Sequence, residues 1–222
     1  MIKLKRVVDI LFSSIILVLF LPFGIIISTI LMITGEGQVF YIQNRVGKNG
    51  ELFGMFKFAT MIKDSPNIGA KDITLKNDPR VLPVGKLLRK LKLNEFPQFI
   101  NVFLGDMSLV GPRPLVRNQY DVIPNGMKLK INHLLPGITG VGSVIFRDEE
   151  RFLNNNQVAS NDFYAKEIVP FKAKLECWYA DKESILIDFK LIIITIIMVG
   201  LPNTKIYNVF LKDIPKHDIF NP

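Results

Sequence analysis

Residues 10–35 read ILFSSIILVLFLPFGIIISTILMITG, a run of 26 residues without a charged side chain. A helix of that length would be about 39 Å long, which exceeds the ~30 Å hydrocarbon core of a bilayer. Pro22 lies near the middle of the run, where it removes a backbone hydrogen bond and predicts a kink or a break. The run therefore predicts a membrane helix that either crosses the bilayer or turns at Pro22 and returns.

Basic residues flank this run on both sides. Lys3, Lys5 and Arg6 precede it, and Arg45 and Lys48 follow it. Because cytoplasmic segments are enriched in Lys and Arg, positive charge at both ends favours a re-entrant hairpin on the cytoplasmic side over a span. A cleaved signal peptide is the alternative interpretation, but the run is long and no small-x-small cleavage pattern ends it.

The composition fits a globular body joined to a membrane segment. Hydrophobic residues make up 49% of the 222 residues and the mean hydropathy is +0.28, which is high for a soluble domain and low for a bundle of membrane helices. The net charge of +8 suits anionic lipids, nucleic acid or phosphorylated substrates. The apolar segments favour lipid and phosphate, and no recognised nucleic-acid motif is present. Cys177 is the only cysteine, which excludes an internal disulfide.

Beyond residue 36 the sequence predicts a small body of short elements. Two apolar stretches around the turn at 47–50 predict a β-hairpin, and residues 63–79 are polar and predict a surface loop. Apolar residues at helical spacing predict helices over 84–93, 96–104 and 161–180. The apolar segment 185–201 is too short to span a bilayer, so we expect a helix that packs on the body or lies at the membrane interface.

Several motifs occur along the chain in a specific order. They are Lys5-Arg6-x-x-Asp9-Ile10, Gln43-Asn44-Arg45-Val46-Gly47-Lys48-Asn49-Gly50, Phe56-Lys57-Phe58-Ala59-Thr60-Met61, Asn77-Asp78-Pro79-Arg80, Leu88-Arg89-Lys90, Asn94-Glu95-Phe96-Pro97-Gln98, GDMSLVGPRP at 105–114 and Pro136-Gly137-Ile138-Thr139-Gly140. This series resembles the bacterial sugar transferases, the small monotopic phosphoglycosyl transferases, almost from end to end. The block at 105–114 is the most specific part of the resemblance.

The resemblance implies a reaction and a fold. A nucleotide diphosphate sugar, usually a UDP-sugar, gives its sugar-1-phosphate to polyprenyl phosphate, and Mg²⁺ screens the diphosphate. The implied fold is α/β but mostly helical, with a re-entrant N-terminal membrane hairpin, a small mixed α/β cytoplasmic body and interfacial amphipathic helices. We expect a membrane helix over 1–36, a catalytic domain over 37–202 and a tail over 203–222. The expected location is the bacterial inner membrane, with the body facing the cytoplasm.

Phosphoryl transfer between anions requires positive charge around the diphosphate. The candidate substrate-binding cations are Lys57, Arg80, Arg89, Arg113 and Arg147. Arg suits bidentate phosphate contacts. Arg113 is favoured because two prolines flank it, and Arg147 because it matches a family Arg. Asp188 matches a family Asp and is a further substrate-binding candidate, with a helix cap or an ion pair to Lys190 as its structural alternative.

Asn94 and Glu95 occupy the positions of the family's catalytic Asp-Glu pair. In the family the Asp attacks the β-phosphate and forms a covalent phosphosugar enzyme, whereas the amide of Asn94 is not a useful nucleophile. Glu95 is therefore expected to be the essential carboxylate and the Mg²⁺ ligand. Attack then has three candidate sources: Glu95 itself, polyprenyl phosphate acting directly, or a compensating carboxylate from Asp148, Glu149 or Glu150.

Other departures from the family pattern accompany Asn94. Ala59 stands where the family usually has Arg, and Leu21 precedes Pro22 where some members have Ser. Because the surrounding motifs are intact, the pattern indicates a modified site. The alternative function is a non-catalytic membrane relative that binds nucleotide sugar or polyprenyl phosphate as a regulator or scaffold, and Asn94 is the feature that supports it.

Overall fold

A computed structural model describes residues 2–68, 78–147, 164–201, 204 and 206–217. Within these ranges the chain is mostly helical with two small sheets, which confirms the predicted class. The helices are α1 (Ile2–Thr34), α2 (Pro83–Lys90), α3 (Gln98–Leu104), α4 (Arg117–Val122), α5 (Asn125–Ile131), α6 (Val141–Ile145), α7 (Val169–Lys182), α8 (Ile185–Gly200) and α9 (Tyr207–Phe210). The strands are β1 (Phe40–Val46), β2 (Leu52–Phe58), β3 (Ser108–Val110) and β4 (Gly137–Thr139). Short turns of 3₁₀ helix occur at Lys48–Gly50, Ser65–Asn67 and Leu93–Glu95, and a π-helical turn, Tyr164–Ile168, precedes α7.

Helix α1 is a continuous helix of 33 residues with Pro22 inside it. Its segment Lys3–Thr34 is long and apolar enough to cross a membrane, and 6% of its most apolar window is buried in the protein. Hydroxyl side chains within the helix, such as those of Ser14 and Ser28, donate to backbone carbonyls one turn earlier. The helix therefore satisfies these polar groups internally and presents an apolar surface to its surroundings.

The body contacts α1 along most of its length. Near the start of the helix, Arg6 Nη1 donates to Val102 O at 2.6 Å. Past the midpoint, Phe20 stacks on Phe96 with ring centroids 3.5 Å apart, and Leu31 is fully buried. The structure thus shows one helix lying along the body instead of two separate arms, and its path through a bilayer stays a prediction.

The predicted β-hairpin is confirmed. Strands β1 and β2 pair antiparallel from Phe40↔Phe58 to Val46↔Leu52. The connection between them contains Asn49 and Gly50 in the left-handed region, with φ of 59° and 77°. Asn and Gly tolerate this conformation best, which explains why the chain turns there.

The segment 105–114 lies between α3 and the main core. Gly105 adopts a φ of 103° and ends α3, a conformation that favours glycine. Strand β3 then pairs in parallel with β4, and Gly137 N donates to Pro112 O at 2.9 Å. The backbone that leads into Arg113 is therefore fixed by a neighbouring segment.

Helices α7 and α8 supply much of the main core. Phe171, Leu175 and Tyr179 are buried on α7, and Leu191 and Ile194 are buried on α8. The helical prediction for 185–201 is confirmed, and at about 24 Å this helix is shorter than a bilayer core. Apolar side chains on its other side are exposed, namely Leu186, Phe189, Ile196 and Val199. Whether that side meets lipid stays a prediction.

The remaining predicted elements are shorter than the sequence indicated. Helix α2 ends at Lys90 because Lys92 adopts a left-handed φ of 59°, and the 3₁₀ turn Leu93–Glu95 follows. Helix α3 begins at Gln98 directly after Pro97. Of the helix predicted over 161–180, residues 161–163 lie outside the described residues, as do 69–77 of the predicted loop.

Part of the predicted C-terminal tail packs on the core. Tyr207 of α9 and Leu211 are both buried in the cluster formed by α7 and α8. Their burial gives the described part of this tail a structural role in the body. The domain boundaries themselves stay a prediction.

Candidate active site

Glu95 and Arg113 face each other across the junction of two turns. Glu95 ends the 3₁₀ turn between α2 and α3, and Arg113 follows β3. Arg113 Nη2 lies 3.7 Å from Glu95 Oε1, with 48% of the Arg113 side chain and 25% of the Glu95 side chain exposed. An ion pair of this exposure adds little to stability. Its accessible charges are available to bind a solute.

The β-hairpin presents two more cations beside this pair. Because side chains alternate along a strand, Gln43, Arg45 and Lys57 share one face of the hairpin. Arg45 Nη2 and Lys57 Nζ both donate to Gln43 Oε1, at 2.7 and 3.0 Å. Arg45 Nη1 also donates to Pro114 O at 3.4 Å, so the hairpin is joined to the turn that carries Arg113.

A small cleft separates the hairpin from the Arg113 turn. Its lining residues are Arg45, Met55, Lys57, Gln98, Arg113, Pro114 and Gly137. Gln98, the first residue of α3, is buried at its wall. Three cationic side chains thus surround one cleft next to Glu95, an arrangement suited to a ligand with several negative charges.

The charges of this cluster shift one another's ionisation. Burial opposes ionisation of Glu95, but Arg113, Lys57, Lys92 and Arg89 outweigh it and hold the pKa of its carboxyl below the ordinary value. Burial, with the nearby Arg45 guanidinium, lowers the pKa of Lys57 to about 7, although Glu95 acts in the opposite direction. Glu95 is therefore a carboxylate at neutral pH, whereas Lys57 is only partly protonated at that pH.

Asn94 precedes Glu95 in the same turn and is buried. Its amide does not ionise, so Glu95 supplies the negative charge of this predicted catalytic pair. The structure brings Glu95 together with two of the predicted phosphate-binding residues, Arg113 and Lys57, and Arg89 adds to their positive potential.

Glu176 on α7 lies behind the Arg113 turn. Arg113 N donates to Glu176 Oε1 at 3.4 Å, and a Cβ atom at Gly142 would collide with the same oxygen. The carboxyl is buried, and Oε2 has no hydrogen-bond partner among the described residues. Burial raises the pKa of Glu176 to about 7, against the opposing hydrogen bonds from the main chain of Arg113 and Gly142.

Arg80 has the contacts of a structural residue. It is buried, its Nη2 lies 2.6 Å from Asp78 Oδ2, and its Nη1 donates to Ser65 O at 2.9 Å and to Ile68 O at 2.8 Å. These contacts tie together the two ends of the predicted loop. The role of Arg80 in phosphate binding stays a prediction.

Asp188 joins α8 to the start of α1. Lys5 Nζ lies 2.9 Å from Asp188 Oδ2, and Tyr179 Oη donates to Asp188 Oδ1 at 2.5 Å. The ion pair considered from sequence was with Lys190, and the structure shows Lys5 as the partner instead. The substrate-binding role of Asp188 stays a prediction.

The remaining predicted residues lie at the edge of the described chain. Arg147 follows α6 and makes no hydrogen bond or ion pair to Glu95 or Arg113 within the described ranges. The possible compensating carboxylates, Asp148, Glu149 and Glu150, lie outside the described residues.

Glu95 is the predicted Mg²⁺ ligand. Among the described residues, no group of three or more His, Cys, Asp or Glu side chains is placed to hold a metal ion. Mg²⁺ in phosphoryl-transfer sites is usually held by one or two carboxylates together with substrate phosphates and water. An ionised Glu95 fits that donor set and would be the single protein ligand, together with substrate phosphates and water.

Sequence reasoning missed four residues of this site: Gln43, Arg45, Gln98 and Glu176. The first three belong to motifs shared with the family, so motif membership was a signal that could have found them. Glu176 lies in a helix interpreted as amphipathic, and nothing local indicated that its carboxyl is buried.

Comparisons with known proteins agree with the motifs. A family model described as bacterial sugar transferase matches residues 1–201. The exopolysaccharide production protein ExoY of Rhizobium meliloti (strain 1021) is 31% identical over 187 residues, covering 76% of this chain and 82% of the relative. The undecaprenyl-phosphate galactose phosphotransferase of Salmonella typhimurium is 34% identical over 177 residues, covering 73% of this chain and 36% of the relative.

A third relative, like the Salmonella protein, is matched over about a third of its own length. The UDP-N-acetylgalactosamine-undecaprenyl-phosphate N-acetylgalactosaminephosphotransferase of Aeromonas hydrophila is 39% identical over 144 residues, covering 64% of this chain and 34% of the relative. The alignments thus span most of ExoY but about a third of the two named phosphotransferases. Since the family model extends over nearly the whole sequence, this chain belongs to the bacterial sugar transferase family.

Proposed function

We propose that this protein is a phosphoglycosyl transferase that moves a sugar-1-phosphate from a nucleotide diphosphate sugar, of the UDP type, to polyprenyl phosphate. The product would start the assembly of a polysaccharide or another glycan. The observation that carries the proposal is the cluster of Arg45, Lys57 and Arg113 beside an ionised Glu95. The names of the Aeromonas and Salmonella relatives, which specify undecaprenyl phosphate and sugar-phosphate transfer, support it.

The cationic cluster meets the main electrostatic demand of this reaction. An oxygen nucleophile attacks the phosphorus bonded to the sugar, and the bond from that phosphorus to the bridging oxygen breaks. UMP leaves with the bridging oxygen and its electron pair. Nucleophile and substrate are both anions, so fixed positive side chains at the diphosphate stabilise their approach and the charge on the leaving group.

Glu95 has a role in two possible routes for transfer of the sugar-1-phosphate. In one, polyprenyl phosphate attacks directly and Glu95 holds Mg²⁺, whose charge would screen the diphosphate when it is bound. In the other, Glu95 attacks and forms an acyl phosphate that polyprenyl phosphate then cleaves. Asn94 supplies neither charge nor nucleophile. Both routes require Glu95, and attack by Asp148, Glu149 or Glu150 is the remaining alternative.

We propose that α1 enters the cytoplasmic face of a bacterial inner membrane and returns to the same face as one helix that bends at Pro22, and not as two separate arms. Its apolar surface, Pro22 within the helix and basic residues at both ends support this arrangement. The body also holds the helix near both of its ends, through Arg6 and Leu31, as this arrangement requires. The exposed side of α8 would lie at the interface.

Release of UMP tests the proposed activity. The protein, in nanodiscs, is supplied with Mg²⁺, polyprenyl phosphate and a panel of UDP-sugars. We expect UMP from one or a few sugars, and only when the lipid is present. Binding of UDP-sugars without UMP release from any of them would contradict the proposal and would be the result for a non-catalytic relative, which the names of the relatives do not favour.

Asn94→Asp tests what position 94 does in the same assay. A strong increase in UMP release would mean that the natural site is a weakened form of the family's site. An unchanged rate would mean that the phosphosugar is not held at position 94. Asn44→Asp, at an exposed position of β1, is the matched control for the added charge.

A further inference from the structure

Gln43 accepts hydrogen bonds from two cationic side chains through a single amide oxygen. Arg45 Nη2 lies 2.7 Å and Lys57 Nζ lies 3.0 Å from Gln43 Oε1. We infer that Gln43 is a positioning residue for substrate binding: its neutral oxygen holds Arg45 and Lys57 together without cancelling their charge, so both cations face the diphosphate. This inference rests on the proposed function.

The hairpin register makes this arrangement possible. Gln43 lies opposite Met55 and Arg45 lies opposite Phe53, so Gln43 and Lys57 are diagonal neighbours on one face. Arg45 follows Gln43 by two residues along the same strand. Arg45 and Lys57 line the cleft between the hairpin and the Arg113 turn, and Gln43 lies beside them on the same face of the hairpin.

Arg45 also connects this arrangement to the rest of the site. Its Nη1 donates to Pro114 O at 3.4 Å, and the neighbouring Val46 N donates to Leu115 O at 2.8 Å. Gln43 thus holds the cation that joins the hairpin to the turn of Arg113. A shift of Arg45 would weaken this connection between the hairpin and the turn. The spacing between Lys57, on the hairpin, and Arg113, on the turn, would then change.

Gln43 carries no charge, and this feature decides its effect on the binding of an anion. Arg45 and Lys57 repel each other, and the other charged groups around Lys57 are Glu95, Arg113 and Arg89. A glutamate at position 43 would have the same shape and accept the same two bonds more strongly. It would also remove one unit of the positive charge that a diphosphate needs. An amide satisfies both requirements, position and charge.

The test compares three variants by stability and anion affinity. Gln43→Glu keeps both hydrogen bonds, Gln43→Ala removes them, and Asn44→Asp makes an equal charge change on the other face of β1. For Gln43→Glu we expect a melting temperature equal to or above that of the wild type, with affinity for inorganic pyrophosphate about tenfold weaker. Gln43→Ala should lose both stability and affinity, and Asn44→Asp should change affinity by less than about twofold.

Pyrophosphate binding by calorimetry keeps this inference separate from the proposed function. If the wild type releases no UMP but Gln43→Glu still weakens pyrophosphate binding, the proposed activity fails and the inference stands. Where UMP release is observed, kcat/KM for the nucleotide sugar should fall in parallel with pyrophosphate affinity. Pyrophosphate binding by Gln43→Glu as tight as that of the wild type, or no pyrophosphate binding by the wild type, would overturn the inference.

Discussion

The carboxylate of Asp9 accepts a hydrogen bond from the main-chain N–H of Leu109 at 2.9 Å. The same oxygen accepts from Ser108 Oγ at 3.1 Å, and Asp9 is buried. Helix α1 is thereby bonded directly to β3, the strand that leads into the Arg113 turn. The proposed membrane helix and the proposed phosphate-binding turn therefore belong to one packed unit.

Asp9→Ala is expected to destabilise the protein by about 1–3 kcal/mol, because it leaves the donors of Ser108 and Leu109 buried without an acceptor. Denaturant unfolding in detergent micelles measures the change. Ser14→Ala, which removes only an exposed bond to Ile10 O within α1, is the control and should have little effect. Equal stability of the Asp9 and Ser14 variants would show that the α1–β3 contact is weak.

The raised pKa of Glu176 predicts that the protein loses stability as pH rises. Burial raises its pKa to about 7 from an ordinary value of 4.5, so the folded protein keeps a proton that the unfolded chain releases between these values. Stability therefore falls as pH rises from 4.5 to 7 and levels off above that. We expect Glu176→Gln to reduce this fall in melting temperature between pH 5 and 8. A wild-type profile identical to that of Glu176→Gln would contradict the prediction.

The lowered pKa of Lys57 predicts that substrate binding weakens as pH rises. Its pKa of about 7 means that the charged form, which attracts the diphosphate, is lost between pH 6 and 8. We expect kcat/KM for the nucleotide sugar to fall over this range. Lys57→Arg keeps its charge and should give a flatter profile, whereas Glu176→Gln should retain the fall. A steep fall in Lys57→Arg equal to that of the wild type would assign the titration to another group.

Local sequence patterns predicted the elements but not their contacts. Alternating and helical spacing identified the β1–β2 hairpin and helix α8, because these patterns depend on neighbours in the chain. The end of α2 was missed because a left-handed φ at Lys92 is set by the packing of the following turn. The pair Arg80–Asp78 lies within one quoted motif, so its structural role was open to prediction from spacing alone.

The site residues that could be predicted are charged residues within motifs shared with the family. Arg113 and Glu95 were identified, and the structure places them together. The partner of Asp188 was missed because Lys5 lies near the other end of the chain. The burial of Glu176 was missed for the same reason, since Gly142 and the Arg113 turn cover it from distant segments.

Membrane topology is open to a direct test. If α1 enters and leaves on the cytoplasmic side, an N-terminal tag and a C-terminal tag should both be protected from an impermeant reagent in intact cells. Both should react after the cells are permeabilised. Labelling of the N-terminal tag in intact cells would show that α1 spans the membrane.

The central claim is that Glu95 is the essential carboxylate, and UMP release by Glu95→Gln tests it most directly. The variant keeps the shape of the side chain but removes the charge that faces Arg113. Glu51→Gln, at an exposed position of the hairpin turn, is the matched control. We expect Glu95→Gln to lose activity by about a hundredfold or more with an unchanged melting temperature, since it removes charge at the reacting phosphates. Activity close to that of Glu51→Gln, with a slightly lower melting temperature, would show that Glu95 only stabilises its turn and would contradict the claim.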